Sequence, residues 1–206
     1  GINMRNIAVS ADGHYVLAGN YLPHTLVLLD ARGLDLIAII PVEGLNGDTS
    51  RVSAVYTAPP RNSFVAALRD IPEVWEIRWP EERAAGDEAI VGDFSLHRVE
   101  APDYLDDFFF DLDYRYIVGA ARGGQGGQVF DLDEEVKVAD LPLEGMPHLG
   151  AGITWERDGT RVMAIPHIDK GQVSVFDMSD WSLITHIETD GPGFFMRSHE
   201  NSPYAW

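Results

Sequence analysis

Short apolar stretches, broken at close intervals by Gly, Pro, Asp and Asn, run the length of the chain. That pattern predicts strands and turns. The best helical candidate, Pro80-Glu81-Glu82-Arg83-Ala84-Ala85, is too short to stand alone and has no apolar stripe. A repeat organises the strands. Ala8 to Ala18 reads as an apolar strand, an Asp12-Gly13 hairpin turn and a second strand. The unit returns at Val55 to Ala66, Phe110 to Val118 and Thr154 to Ala164, and opens once more at Arg197 to Trp206. A third strand follows at Leu26 to Asp30, Gln128 to Asp131 and Val173 to Asp177, and a fourth at Leu36 to Ile40, Val136 to Ala139 and Leu183 to Ile187. The second copy carries an insertion around Trp79 to Gly92 between its outer strands. Four strands returning every ~45–50 residues make the blade of a β-propeller.

The expected fold is therefore all-β. Residues 1–206 form one partial β-propeller of four-stranded blades, four blades plus the start of a fifth, with no internal domain boundary. That is roughly half of a seven- or eight-bladed ring. The lack of Met at position 1, and an end at Trp206 inside a predicted strand, are expected of a piece of something longer.

Composition narrows the partners. With 33 acidic against 15 basic residues the formal charge is -18, which argues against nucleic acid, since phosphate binding needs a basic surface. The acidity reads first as a solvated surface, and secondly as an attraction for a basic partner such as an electron-transfer protein. No apolar run reaches membrane-spanning length. Zero cysteines remove disulfides, thiolate ligands and a Cys nucleophile, without locating the protein. Lys137 and Lys170 are the two lysines; the other basic residues are Arg, the better residue for a bidentate grip on carboxylates.

In a propeller blade, the start of the innermost strand and the loop between strands two and three share one face. Arg5, Arg51, Asp106 and His148 fall at or near those strand starts, one per blade. The loops carry Tyr21 and His24, then Arg69 and Asp70, then Arg122 with a glycine run at 123–127, then His167, Asp169 and Lys170. Polar groups on one face around one axis predict a ligand funnel. Arg69 and Arg122 read as ordinary salt-bridge residues. For Asp106 a turn role stands beside a catalytic one. The glycine run opens no helix, so it lacks the dipole of a phosphate cradle and reads as a hairpin loop. His14, His97 and His186 read as solvent-facing, and His199 as a structural hydrogen-bonding residue. His167 fits either a structural or a binding role. His148, held between Pro147 and the small residues Gly150, Ala151 and Gly152, is the favoured candidate. Its ring suits a metal-axial ligand or an acid/base near neutral pH. No His and carboxylate set has the spacing of a protein-built metal cage.

Gly145-x-Pro147-His148-x-Gly150-x-Gly152 is similar to the Thr-Pro-His-Pro-Gly-Arg-Gly segment in the haem d1 propeller of cytochrome cd-type nitrite reductases. Met4-Arg5-Asn6-Ile7, Ala18-Gly19-Asn20-Tyr21-x-Pro23, Arg51-Val52-x-Ala54, Ala101-Pro102-x-x-Leu105-x-Asp107 and Phe195-Met196-Arg197-Ser198-His199 extend the resemblance in the same order. It implies an eight-bladed propeller. Asp106 stands where the reductases place a second distal-pocket histidine, and Ala151 where they have Arg, which points away from nitrite reduction. The resemblance is nearer to the paralogues of haem d1 biosynthesis, and within them to the NirF type. It implies a periplasmic maturation protein, either a tetrapyrrole-modifying enzyme or a carrier, that binds haem d1 or a late precursor. Other maturation proteins or the nitrite reductase itself would be its partners. Arg5 and Arg51 would anchor carboxylates, with Tyr21 and His167 also in the binding site. His148 would meet the iron or act in catalysis, and Asp106 would move a proton, if burial raises its pKa. The proximal ligand would lie outside this chain. A nitrite-reductase haem domain and a cofactor-free interaction scaffold are the alternatives, the second because fold does not fix function.

Overall fold

Turn residues that tolerate left-handed backbone fold each repeat into a four-stranded meander. The computed structural model describes residues 2–79, 94–120, 126–145, 147–199 and 201–206. The first sheet holds β1 (Asn3–Val9), β2 (Tyr15–Leu22), β3 (Thr25–Asp30) and β4 (Leu36–Pro41). The second holds β5 (Val52–Ala58), β6 (Ser63–Leu68), β7 (Glu73–Arg78) and β8 (Ser95–Glu100). The third holds β9 (Asp107–Phe110), β10 (Tyr116–Ala120), β11 (Gly127–Asp131) and β12 (Val136–Leu141). The fourth holds β13 (Ile153–Arg157), β14 (Thr160–Pro166), β15 (Gln172–Asp177) and β16 (Leu183–Glu188). Each strand pairs antiparallel with the next in sequence, the meander of a propeller blade. Among the described residues the helical elements are single 3-10 turns at Pro59–Arg61 and Leu149–Ala151, and no helix is long and apolar enough to cross a membrane.

The repeat is written in its turns. At the first hairpin the left-handed residue is Gly13, Asn62, Tyr114 or the Asp158-Gly159 pair. Ser10 Oγ accepts the Tyr15 N–H at 2.9 Å, and Asp111 Oδ1 accepts the Tyr116 N–H at 2.8 Å from the same position one repeat pair later. At the end of the third strand, Asp30, Asp131 and Asp177 each accept the N–H two residues on, the Asx geometry that starts a turn. Leu34, Glu135 and Trp181 then take the left-handed position.

The chain divides into two compact units, one ending at Asp106 and one beginning at Asp107. In the first, Leu17, Leu26 and Leu28 are buried in one cluster with Val52, Phe64, Leu68 and Trp75. Each such side chain contributes about 1.5–3 kcal/mol by leaving water. All six residues of β6, Ser-Phe-Val-Ala-Ala-Leu, are buried, so both faces of this strand are packed. Trp79 seals this core against Phe64, ring centroids 4.8 Å apart. Most of the predicted insertion and all of the helical candidate at 80–85 lie outside the described residues. In the second unit, Val118, Val129, Met163, Ile165 and Phe176 form the core. The predicted fifth opening folds back on itself: Arg197 and Trp206 exchange main-chain hydrogen bonds of 2.8 and 3.0 Å.

Candidate functional site

In the first unit the predicted residues gather on Tyr21. Arg5, exposed on β1, places its guanidinium 5.8 Å from the Tyr21 ring centroid, and Arg51, just before β5, lies at 5.5 Å. Arg69 in the β6–β7 loop approaches the Tyr21 hydroxyl at 3.4 Å. These guanidiniums are not equivalent. Arg51 grips Asp70 with Nε at 2.8 Å and Nη2 at 2.5 Å, and its main-chain N–H adds a third bond at 2.9 Å. The Arg51 hydrogen bonds hold the Asp70 carboxyl below its usual range against the opposing effect of burial. Arg69 is ion-paired with Asp106, the salt-bridge role expected of it from sequence. Among the described residues Arg5 has no carboxylate partner and is the cation open to an incoming anion. His24 bonds Thr49 Oγ1 at 2.8 Å.

In the second unit the candidate is the turn that carries His148. Gly145 sits at φ +75, and a Cβ there would lie 2.5 Å from the Asp169 carboxylate. A Cβ on Gly152 would lie 2.6 Å from the Phe109 ring, so the turn lies flush against β9 because that position is glycine. The His148 N–H donates to Pro166 O at 2.9 Å, and Pro147 bridges antiparallel to His167. The half-buried His148 ring hydrogen-bonds through Nδ1 to the Phe194 carbonyl. Phe194 and Phe195 flank it at 4.5 and 5.4 Å, and Arg197 lies 5.3 Å over Phe195. Sequence reasoning assigned no role to these three residues. The Gly191-Pro192-Gly193 turn ahead of two aromatics was the available signal.

His167 is wholly buried beneath that turn. Its Nε2 bonds Ser174 Oγ at 2.9 Å, and the same hydroxyl reaches His186 Nδ1 at 3.0 Å. Burial first, then the Lys170 charge, pushes the His167 pKa down, so it sits neutral in the fold. Its Nδ1 meets no hydrogen-bond acceptor in good geometry, although the Glu144 main chain is near enough to favour the charged ring. His199 accepts the Asn201 N–H on Nδ1 at 3.1 Å and lines a groove of about 830 Å³ with Trp155, Arg197 and Tyr204. Arg122 and residues 123–125 of the glycine run lie outside the described residues. Among the described residues no three His, Asp or Glu side chains gather to hold a metal ion. In the first unit an open guanidinium beside a phenol suits a carboxylate, and in the second an imidazole between two phenyl rings suits an iron or a flat ring.

Residues 1–206 match the family described as the Cytochrome D1 heme domain. Dihydro-heme d1 dehydrogenase of Pseudomonas aeruginosa is 53% identical over 206 residues, covering 100% of this chain and 40% of that protein. Protein NirF of the same organism is 30% identical over 213 residues, covering 97% of this chain and 51% of that protein. A solved structure of dihydro-heme d1 dehydrogenase NirN in complex with DHE superposes with a TM-score of 0.89 at 53% identity, over 99% of this chain and 42% of that one. The chain thus spans about half, or less, of the length of these relatives, and the comparisons do not single out the NirF type toward which the sequence leaned. It belongs to the cytochrome d1 haem domain family.

Proposed function

We propose that this chain is part of a haem d1 maturation protein of the periplasm that binds haem d1 or a dihydro precursor of it. The carrying observation is the 53% identity to dihydro-heme d1 dehydrogenase along the whole chain. Haem d1, when bound, supplies the iron and the conjugated ring on which redox chemistry runs. The chain's own residues bind and orient it. Arg5 takes a carboxylate, because its guanidinium is open and braced on Tyr21. Arg51, locked by Asp70, offers its remaining N–H groups from a fixed position. His148 faces the macrocycle as an iron ligand or a proton acceptor. The Arg69 ion pair supports Asp106 as the residue that holds Arg69 beside Tyr21, in place of a proton donor. Burial beneath the turn supports His167 as a support for His148 in place of a ligand contact.

The test adds haem d1 to the full-length protein and follows its visible spectrum. A band shift in the wild type, lost in His148→Ala and weakened in Arg5→Ala, is expected. No shift in the wild type sinks the reading.

A further inference from the structure

The geometry points to a positioning role for the strap formed by residues 191–196: the Phe194 carbonyl locks His148 in its Nδ1–H tautomer, so that Nε2 is the atom the ring offers to a ligand. The strap is sewn down on both sides of the contact. The Gly193 N–H donates to His167 O at 3.0 Å, and the Met196 N–H donates to Ala151 O at 3.3 Å. Between these stitches the Phe194 carbonyl meets His148 Nδ1. A carbonyl oxygen only accepts, so Nδ1 must carry the hydrogen. In the neutral ring the lone pair is then on Nε2, which has no partner among the described residues. The main chain of His148 is fixed as well, through its N–H to Pro166 O at 2.9 Å and its carbonyl from the Ala151 N–H at 3.1 Å. Phe194 and Phe195 stand 4.5 and 5.4 Å from the ring, at 51° and 63° to it, and limit its rotation. A flip about the Cβ–Cγ bond would turn a carbon toward the carbonyl and lose the hydrogen bond.

The consequence is directional. Locked this way, neutral His148 binds iron or takes a proton through Nε2, and it has no proton to give there. Only the identity of the ligand rests on the function proposed above; the tautomer does not.

Two-bond proton–nitrogen correlation spectra of the full-length protein, labelled with 15N-histidine and kept above the ring's titration, read the tautomer directly. His148→Gln identifies the signal. His199, whose Nδ1 accepts the Asn201 N–H, is an internal reference for the opposite form. His148 is expected as Nδ1–H, and an Nε2–H signal overturns the inference. Phe194→Leu keeps the carbonyl and is expected to keep the tautomer. Gly193→Pro deletes the N–H that ties the strap to His167 and is expected to shift the population toward Nε2–H. An unchanged tautomer in a folded Gly193→Pro removes the strap's role. Should that variant not fold, the wild-type spectrum still decides. Added haem d1 is expected to perturb the Nε2 signal. A locked tautomer with an unresponsive Nε2 would leave the lock standing and overturn the ligand reading.

Discussion

Glu76 on β7 offers a sharp test of how the first unit is held together. Its carboxylate is 1% exposed and takes hydrogen bonds from Arg61 Nε at 2.7 Å, Arg78 Nη2 at 2.6 Å and Ser63 Oγ at 2.6 Å. Arg61 is itself 12% exposed, whereas Arg78 is 33% exposed and keeps much of its hydration. Glu76→Gln preserves shape but takes the Glu76 charge away from the buried Arg61 guanidinium. Breaking a buried pair in this way costs about 3–5 kcal/mol, and the loss at Arg78 adds at most about 1 kcal/mol. Replacing both Arg61 with Met and Glu76 with Leu removes both charges of the pair and should recover most of that loss. Acidity provides a second arm. Burial pushes the Glu76 carboxyl up, but the Arg61, Arg78 and Ser63 hydrogen bonds together outweigh it and hold the carboxyl below its usual range. A folded pKa below the unfolded one stabilises the fold above the unfolded value, and that stability is lost as pH falls through the folded value. The gap between wild type and Glu76→Gln should therefore close in acid. Urea unfolding of the full-length protein, followed by fluorescence of the buried Trp75 and Trp79, measures both arms. A loss under about 1 kcal/mol at neutral pH, or a gap that persists in acid, refutes the reasoning.

Burial pushes the Asp111 carboxyl up, so its contribution is present below the unfolded pKa and fades as pH rises through the folded one. Asp111→Ser, which installs the residue used at Ser10, should be neutral or stabilising near pH 7, whereas Asp111→Ala strands the Tyr116 N–H and loses about 1–3 kcal/mol in thermal unfolding. Arg5→Ala should weaken haem d1 binding on the order of tenfold, one charge-assisted hydrogen bond, with an unchanged urea midpoint. Gly152→Ala drives a methyl into Phe109 and should destabilise by about 1–3 kcal/mol, read from the urea midpoint.

The blades were legible because their grammar is local. Asp12-Gly13 and Asp158-Gly159 announce hairpins, and the Asp that closes the third strand of the first, third and fourth sheets begins its turn through its own carboxylate a few residues on. The short repeat distance did the rest. What sequence reasoning missed depends on side chains meeting across loops. Arg51 finds Asp70 19 residues away, and His148 finds the Phe194 carbonyl 46 residues away. No periodicity encodes either pairing. His186 is exposed on β16 as expected, and its Nδ1 also bonds Gln172 at 2.7 Å and Ser174 at 3.0 Å, because β15 brings both into reach. His167 could not be assigned because a loop histidine carries no mark of burial until the turn above it is placed.

The two ends of the blades use the same polar residue types to opposite purpose. At the hairpin end several polar groups are closed on each other: Ser10 with Asp12, Arg61 and Arg78 with Glu76, Arg115 with Asp131, and Arg161 with Asp113. At the other end the Arg5 guanidinium and His148 Nε2 stay open among the described residues. Each is braced from behind, Arg5 by Tyr21 and His148 by the 191–196 strap. A saturated network rigidifies its strand ends and has nothing left for a ligand, whereas a braced but unsatisfied donor or lone pair is already oriented before a ligand arrives. Substitutions should divide along the same line. Those at the hairpin end should move the unfolding midpoint and leave haem d1 affinity of the folded protein alone, and those at Arg5 or His148 should do the reverse.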